Sequence, residues 1–188
     1  MVVLLDETGR AVSSSPKSTV HTDRTPLHLA FSCYLFDDER RILMTRRAAH
    51  KLTWPHVWTN SCCGHPAPNE PVAEAVARRL DQELGTIGSA PEPVLPRFRY
   101  RAVMADGIVE NELCPVFRAI ADGPIKPDPS EVADMRWLPW RDVADGVLNG
   151  LYDVSPWCKE QVAELVLLGD DPLAWPTASP AEVPSSVL

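Results

Sequence analysis

The sequence predicts one α+β or α/β domain built on a mixed sheet. Three observations carry that expectation. Val72, Val76, Leu80 and Leu84 recur at helical spacing before Gly85, which marks one amphipathic helix and its stop. Asp106-Gly107 joins the stretches Phe98 to Met104 and Ile108 to Ile120, a hairpin signal. Strand-like and helix-like segments intermix along 188 residues without an internal repeat, a length that fits one domain.

In chain order, Val2 to Leu5 reads as a strand and Asp6 to Gly9 as its turn. Ser13 to Pro16 is loop. Leu27 to Phe36 is a long apolar stretch, expected as one buried strand. Asp37 to Arg40 is a polar turn, and Ile42 to Thr45 pairs back to complete a hairpin. Ala48 to Pro68 has no period yet is not of low complexity, the mark of a functional loop. The helix that follows takes Asn69 as its cap and Pro71 in its first turn. Met135 to Leu138 is a further strand and Arg141 to Leu148 a short helix. Ser155-Pro156 opens a last helix with Val162, Leu165 and Val166 on one face. Prolines 172, 176, 180 and 184 then set residues 170–188 apart as an irregular, partly mobile tail behind a domain of residues 1–169.

Composition narrows the function. Hydrophobic residues at 45% and charged residues at 23% are those of a globular protein that buries a core without disulfides. The net charge is -8 and no basic stripe stands out, which argues against nucleic acid. An anion would need cations gathered at one place. The apolar Met1 to Leu5 lacks a preceding basic region and is ended by Asp6-Glu7, so it is no signal peptide. No apolar run approaches the ~18 residues of a membrane span. The expected location is the cytoplasm, and the five cysteines are then expected in packing, metal binding or catalysis rather than disulfides.

Glu110 and Glu112 stand two apart on an expected strand, so both point to one face beside Ile108 and Cys114. Buried together they require a cation, a shared proton or solvent. An edge strand with its acidic face in water satisfies the same spacing. His21, His28 and His65 come from three separate segments, and with the two carboxylates they make a mixed nitrogen and oxygen set. That set suits Mg2+, Mn2+ or Zn2+. His50 and His56 read as ordinary loop residues. Cys62-Cys63-Gly64-His65 is either a tight turn with buried thiols or a reactive thiol beside a metal-bound histidine.

Gly64, Glu70 and the run Arg78 to Thr86 have the frame of the Nudix box, a loop–helix that holds metal for diphosphate hydrolysis. The pattern expects Glu after the first Arg and a Glu-Glu pair; here these are Arg79 and Gln82-Glu83. Hydrolysis needs several carboxylates around its metal. Glu70 and Glu83 remain, so the fold signal survives and the hydrolytic one is damaged.

Taken together, the residues resemble type I isopentenyl diphosphate isomerase, the metal-dependent form on a Nudix-like scaffold. The resemblance runs from about Lys17 to Trp157. It is carried by His21-Thr22, Leu27 to Phe31, Thr45-Arg46-Arg47, Trp54-Pro55, Val57 to Ser61, Cys63 to Pro66, Phe98 to Arg101, Gly107 to Glu112 and Ser155-Pro156-Trp157. The doubled cysteine is similar to that of actinobacterial members. The resemblance implies a single domain with a Nudix-like mixed sheet sandwiched between helices; a monomer is expected, although the sequence does not say whether the chain dimerises. It implies one divalent ion on His21, His28, His65, Glu110 and Glu112. Cys63 and Glu112 would flank the substrate double bond, with Tyr100 hydrogen-bonded to Glu112. Lys17, Arg47, Lys51 and Arg79 would hold the diphosphate, and a second ion, Mg2+, would bridge it to Glu83 and the Cys63 carbonyl. Trp157 would cover the carbon skeleton, and no flavin is implied. A Nudix-type hydrolase, a protein with a structural metal, and a prenyl coupling or cyclising enzyme are the competing expectations.

Overall fold

Two β-sheets share a seam, and the chain crosses that seam twice. The computed structural model describes residues 1–188. In the smaller sheet, β1 (Val2–Leu5) pairs with β2 (Ala11–Ser15) on one side and with the short β3 (His28–Leu29) on the other. A four-residue helix, α1 (Lys17–Val20), lies between β2 and β3 in the chain. The larger sheet has β4 (Phe31–Phe36) near its centre, with β5 (Arg41–Arg47) as its neighbour.

The stretch from Leu27 to Phe36, expected as one strand, is thus two. It leaves the smaller sheet at Ala30 and enters the larger as β4. The stretch from Ile108 to Ile120 does the same. It gives β10 (Val109–Leu113) and β11 (Val116–Ile120), with β10 parallel to β3 and β11 parallel to β4. Pro115 lies at the break and has no N–H to give a ladder. The two crossings are laced together: Ala30 N–H donates to the Leu113 carbonyl (3.0 Å) and Ser32 N–H to the Pro115 carbonyl (3.1 Å). β9 (Arg99–Val103) closes the smaller sheet as the antiparallel partner of β10, around a turn with Gly107 at φ 90. The Asp-Gly hairpin is where the sequence placed it.

β4 and β5 pair directly only at Phe36 and Ile42. Beyond that they diverge, and two short strands from the aperiodic stretch fill the opening. β6 (Trp58–Thr59) pairs with β5, and β7 (Cys62–Gly64) pairs with β4. β8 (Glu92–Leu95) and β12 (Val132–Pro139) are the two edges of the larger sheet.

β4 is buried on both faces, as its unbroken apolar run requires. Phe31, Cys33 and Leu35 join the core beneath α2 (Val72–Leu84), whose stripe is Val72, Val76, Leu80 and Leu84. Tyr34 and Phe36 face the opposite core under α3 (Trp140–Leu148) and α4 (Pro156–Leu165). Gly85 ends α2 in the left-handed region (φ 62), its N–H donating to the Asp81 carbonyl. Asn69 does not cap this helix. It takes a left-handed turn at φ 65, and Pro71 holds the cap position. Residues 170–188 carry two 3-10 turns, Pro172–Ala174 and Pro180–Glu182. Between these turns Trp175 is buried edge-on against Phe36 and Trp140, with centroids at 5.6 and 5.1 Å. No helix is long and apolar enough to cross a membrane.

Candidate metal and thiol site

A cavity of about 420 Å³ opens where the two sheets meet and β4 parts from β5. Every site residue singled out from the sequence lines it except His28, which stands behind the wall, fully buried. Strand register explains the grouping. Glu112 on β10 lies opposite His28 on β3 and opposite Tyr100 on β9. His21 follows directly on α1, and His65 follows directly on β7.

His21, His28, His65 and Glu112 present ligand atoms that all lie within 4.8 Å of one another. The cluster fits a divalent ion by its chemistry. His28 Nδ1 donates to the Pro26 carbonyl (3.0 Å), which fixes the tautomer and leaves Nε2 with a free lone pair. That Nε2 sits 3.3 Å from Glu112 Oε1, yet neither it nor the buried Nε2 of His21 has a hydrogen-bond partner. Orphaned buried nitrogens aimed at a carboxylate are costly unless an ion takes their lone pairs. Burial pushes His21 and His65 down to about 4, so both rings are neutral ligands at neutral pH. Burial works against charge on Glu112 too, but the neighbouring His28 and His65 imidazoles outweigh it and hold that carboxyl well below the usual range.

Glu110 lies outside that four-residue cluster but is tied to it. Tyr100 Oη is 2.8 Å from Glu110 Oε2 and 2.8 Å from Glu112 Oε2. One hydroxyl hydrogen serves only one of them. A proton on Glu110 satisfies both contacts: Glu110 donates to the tyrosine oxygen and Tyr100 donates to Glu112. Burial, then the Glu112 charge, raises Glu110 to about 7, in keeping with that chain. A metal ion is the other way to hold two buried carboxylates together. The edge-strand reading fails, because both are nearly buried at 6% and 5% exposure.

On β7 the side chains alternate. Cys62 faces Cys33 in the α2 core, and Cys63 faces Ser32 and the cavity. Cys62 is therefore packing, and Cys63 is the accessible thiol. Burial pushes that thiol up to about 11, so it carries its proton at neutral pH. Trp157, on the first turn of α4, packs against Tyr100 (5.7 Å) and Trp54 (5.5 Å).

Four cations line the same cavity. Burial lowers Lys17, and it takes Lys51 down to about 8. Arg79 reaches Glu83 on its own helix and Glu131 at 3.2 Å, and Glu131 also pairs with Lys51. Arg47 is partly committed to the backbone. Its Nε and Nη2 donate to the Thr53 carbonyl (3.1 and 2.9 Å), and its guanidinium lies 5.7 Å from the Trp157 ring centroid. Glu131 escaped the sequence reading because nothing marks it in the loop before β12. The buried partners of Cys63, namely Asn60 and Ser32, and Gln161 behind Ser32, also escaped it.

Sequence comparisons agree with this geometry. The NUDIX domain family matches residues 26–158. Proteins named isopentenyl-diphosphate Delta-isomerase are similar over almost the whole length. That of Saccharopolyspora erythraea is 54% identical over 100% of this chain and 96% of its own. That of Mycolicibacterium vanbaalenii is 56% identical over 90% and 93%. That of Rhizobium rhizogenes is 46% identical over 99% and 90%. Among solved structures, a MutT protein from Methanosarcina mazei superposes with a TM-score of 0.60 at 16% identity, over 74% of this chain and 92% of that one, a likeness of fold alone. The fold and the box-bearing helix place the chain among NUDIX-domain proteins. Within them, it belongs to the isopentenyl-diphosphate Delta-isomerase family.

Proposed function

We propose that the protein interconverts isopentenyl and dimethylallyl diphosphate by adding a proton at C4 and removing one at C2. The observation that carries this reading is a protonated, half-buried thiol at Cys63 sharing one cavity with the His21, His28, His65 and Glu112 cluster and with the cations Lys17, Arg47, Lys51 and Arg79. Protonating the C3=C4 bond forms a C4–H bond and a tertiary cation at C3; loss of a C2 proton then forms the C2=C3 bond. Cys63 and Glu112 are the acid and base pair for these two transfers. Tyr100 holds Glu112 by its hydrogen bond and carries a proton path to Glu110. Trp157 offers a π face to the cation at C3, and its packing against Trp54 and Tyr100 helps to keep away water that would otherwise add to it.

His21, His28, His65, Glu110 and Glu112 would hold one Mg2+, Mn2+ or Zn2+, which fixes Glu112 and sets its proton affinity. Glu83 and the Cys63 carbonyl would hold a second Mg2+ with the diphosphate, and no flavin takes part. Lys17, Arg47, Lys51 and Arg79 bind the diphosphate. Arg79 replaces the carboxylate that a hydrolase would use and pairs with Glu83 instead. The enzyme acts as a cytoplasmic monomer, with residues 170–188 packed onto the domain of residues 1–169 through Trp175. The test is NMR of isopentenyl diphosphate incubated in D2O with the holoenzyme. Deuterium in both isomers without release of phosphate or diphosphate is expected. Diphosphate release, longer products or no exchange refutes the reading.

A further inference from the structure

Asn60 is fully buried, and its side chain is oriented by its own donors. Nδ2 donates to the carbonyls of Cys33 (3.1 Å) and Cys62 (2.9 Å), so Oδ1 must point the other way. Three donors converge on that oxygen: Thr59 Oγ1 at 2.8 Å, Cys63 Sγ at 3.2 Å and Trp157 Nε1 at 3.2 Å. Two of these belong to groups that meet the reacting carbons in the proposed reaction. The thiol comes from β7 and the indole from α4, which are far apart in sequence and share no backbone pairing.

We propose that Asn60 is a positioning residue that locks the Cys63 thiol and the Trp157 indole to one another through its single side-chain oxygen. The inference rests on the isomerase reading and deepens it. Acceptance of the thiol hydrogen fixes the rotamer of Cys63, and acceptance of the indole hydrogen fixes the plane of Trp157. The same bond draws positive charge away from the indole N–H and leaves the ring richer in electrons toward the cation. The thiol is also held from behind. Gln161 Nε2 donates to Ser32 Oγ (2.9 Å), which leaves the Ser32 hydrogen for a sulfur, Cys63 at 3.4 Å or Cys114 at 3.5 Å. Asn60 differs from Ser32 in touching both catalytic side chains. Displacing a reacting group by about 1 Å costs on the order of a hundredfold in rate, so a loosened thiol and ring lower kcat. The Asn60 side chain bonds to none of Lys17, Arg47, Lys51 and Arg79, so binding of the diphosphate is left alone.

The experiment compares wild-type holoenzyme with Asn60→Ala by steady-state kinetics, by titration with inorganic pyrophosphate, and by NMR of indole 15N-labelled protein. The expected result has three parts. kcat falls between about tenfold and a hundredfold. KM and the pyrophosphate Kd stay within about twofold, as loss of a contact made only to the reacting end requires. The Trp157 Nε1–H resonance shifts and loses protection from exchange. A kcat within twofold of wild type overturns the proposal, as does an unmoved indole resonance. If Asn60→Ala fails to fold, replacement of Trp157 by β-(benzothien-3-yl)alanine keeps the ring and removes only the N–H. It must lower kcat at unchanged KM, and full turnover in that variant overturns the proposal. Absence of turnover in wild-type holoenzyme refutes the isomerase reading and the inference with it. Wild-type turnover with an unaffected Asn60→Ala kcat refutes the inference alone.

Discussion

Glu110→Gln in chelator-treated protein should raise stability at pH 8 and leave it unchanged at pH 4. Glu110 is buried beside Glu112, and its carboxyl is raised from 4.5 to about 7 by burial and by that neighbouring charge. The sign follows from linkage. A folded pKa above the unfolded one contributes stability that is fully present below 4.5 and is lost as pH rises through about 7. Above that window the wild-type protein carries a buried, repelled charge, whereas glutamine keeps the shape and hydrogen bonds of the protonated acid. Each pKa unit is worth ~1.4 kcal/mol, so the difference reaches about 3 kcal/mol at most. In a domain of this length that corresponds to roughly 6–12 °C in Tm. Thermal melts in EDTA at half-unit steps from pH 4 to 9 measure it. Adding Mn2+ or Mg2+ should reverse the order at pH 8, because the wild-type carboxylate then gains a cation and the amide gains less. A variant that melts with or below wild type at pH 8 in EDTA would show that Glu110 does not share a buried, proton-poor environment with Glu112.

Cys63→Ala should abolish D2O exchange while moving the folding free energy by no more than about 1 kcal/mol, since the change is small and leaves no charge unpaired. Near-normal turnover in that variant rules out the thiol's role. Arg79→Glu, which restores the hydrolase-type carboxylate, should weaken pyrophosphate binding by about tenfold or more, because it exchanges attraction for repulsion among Glu83 and Glu131. Equal affinity by calorimetry would remove Arg79 from the diphosphate site. Trp175→Ala should cost about 3–5 kcal/mol in urea unfolding, the range for emptying a buried aromatic site. A cost below 1 kcal/mol would mean that residues 170–188 do not complete the core.

Much of the site was legible because its chemistry is local in sequence. Glu110 and Glu112 share a face by the two-residue strand repeat, and the Asp106-Gly107 turn sets β9 against β10. That pairing delivers Tyr100 to Glu112. The helix from Val72 to Leu84 was legible from its period and from Gly85. The break of two apolar runs into four strands was not legible. Nothing in Leu27 to Phe36 marks Ala30 as the place where the chain changes sheets; only Pro115 in the companion run hints at it. Ala48 to Pro68 could not be read as strands, because β6 and β7 are two and three residues long. Their pairing depends on β4 and β5 having parted, which is a tertiary condition. Asn60 was missed for the same reason. A buried amide that serves five partners looks, in sequence, like any loop asparagine.

The seam between the sheets accounts for how one small domain brings the candidate metal cluster and a proton-bearing thiol together. His28 and Glu112 of the cluster belong to the smaller sheet through β3 and β10, and the thiol and His65 belong to the larger sheet through β7 on β4. β3 runs into β4, and β10 into β11, at the same level. The crossings are bonded to each other at Ala30 with Leu113 and at Ser32 with Pro115. His28 and Glu112 are therefore separated from Ser32, the strand partner of Cys63, by only a few residues of doubly tethered backbone. A site assembled on mobile loops would need the substrate to order both halves. Here the two halves are fixed to a shared pair of strands, and fixing reacting groups in advance is where a large part of a proton-transfer enzyme's rate advantage lies.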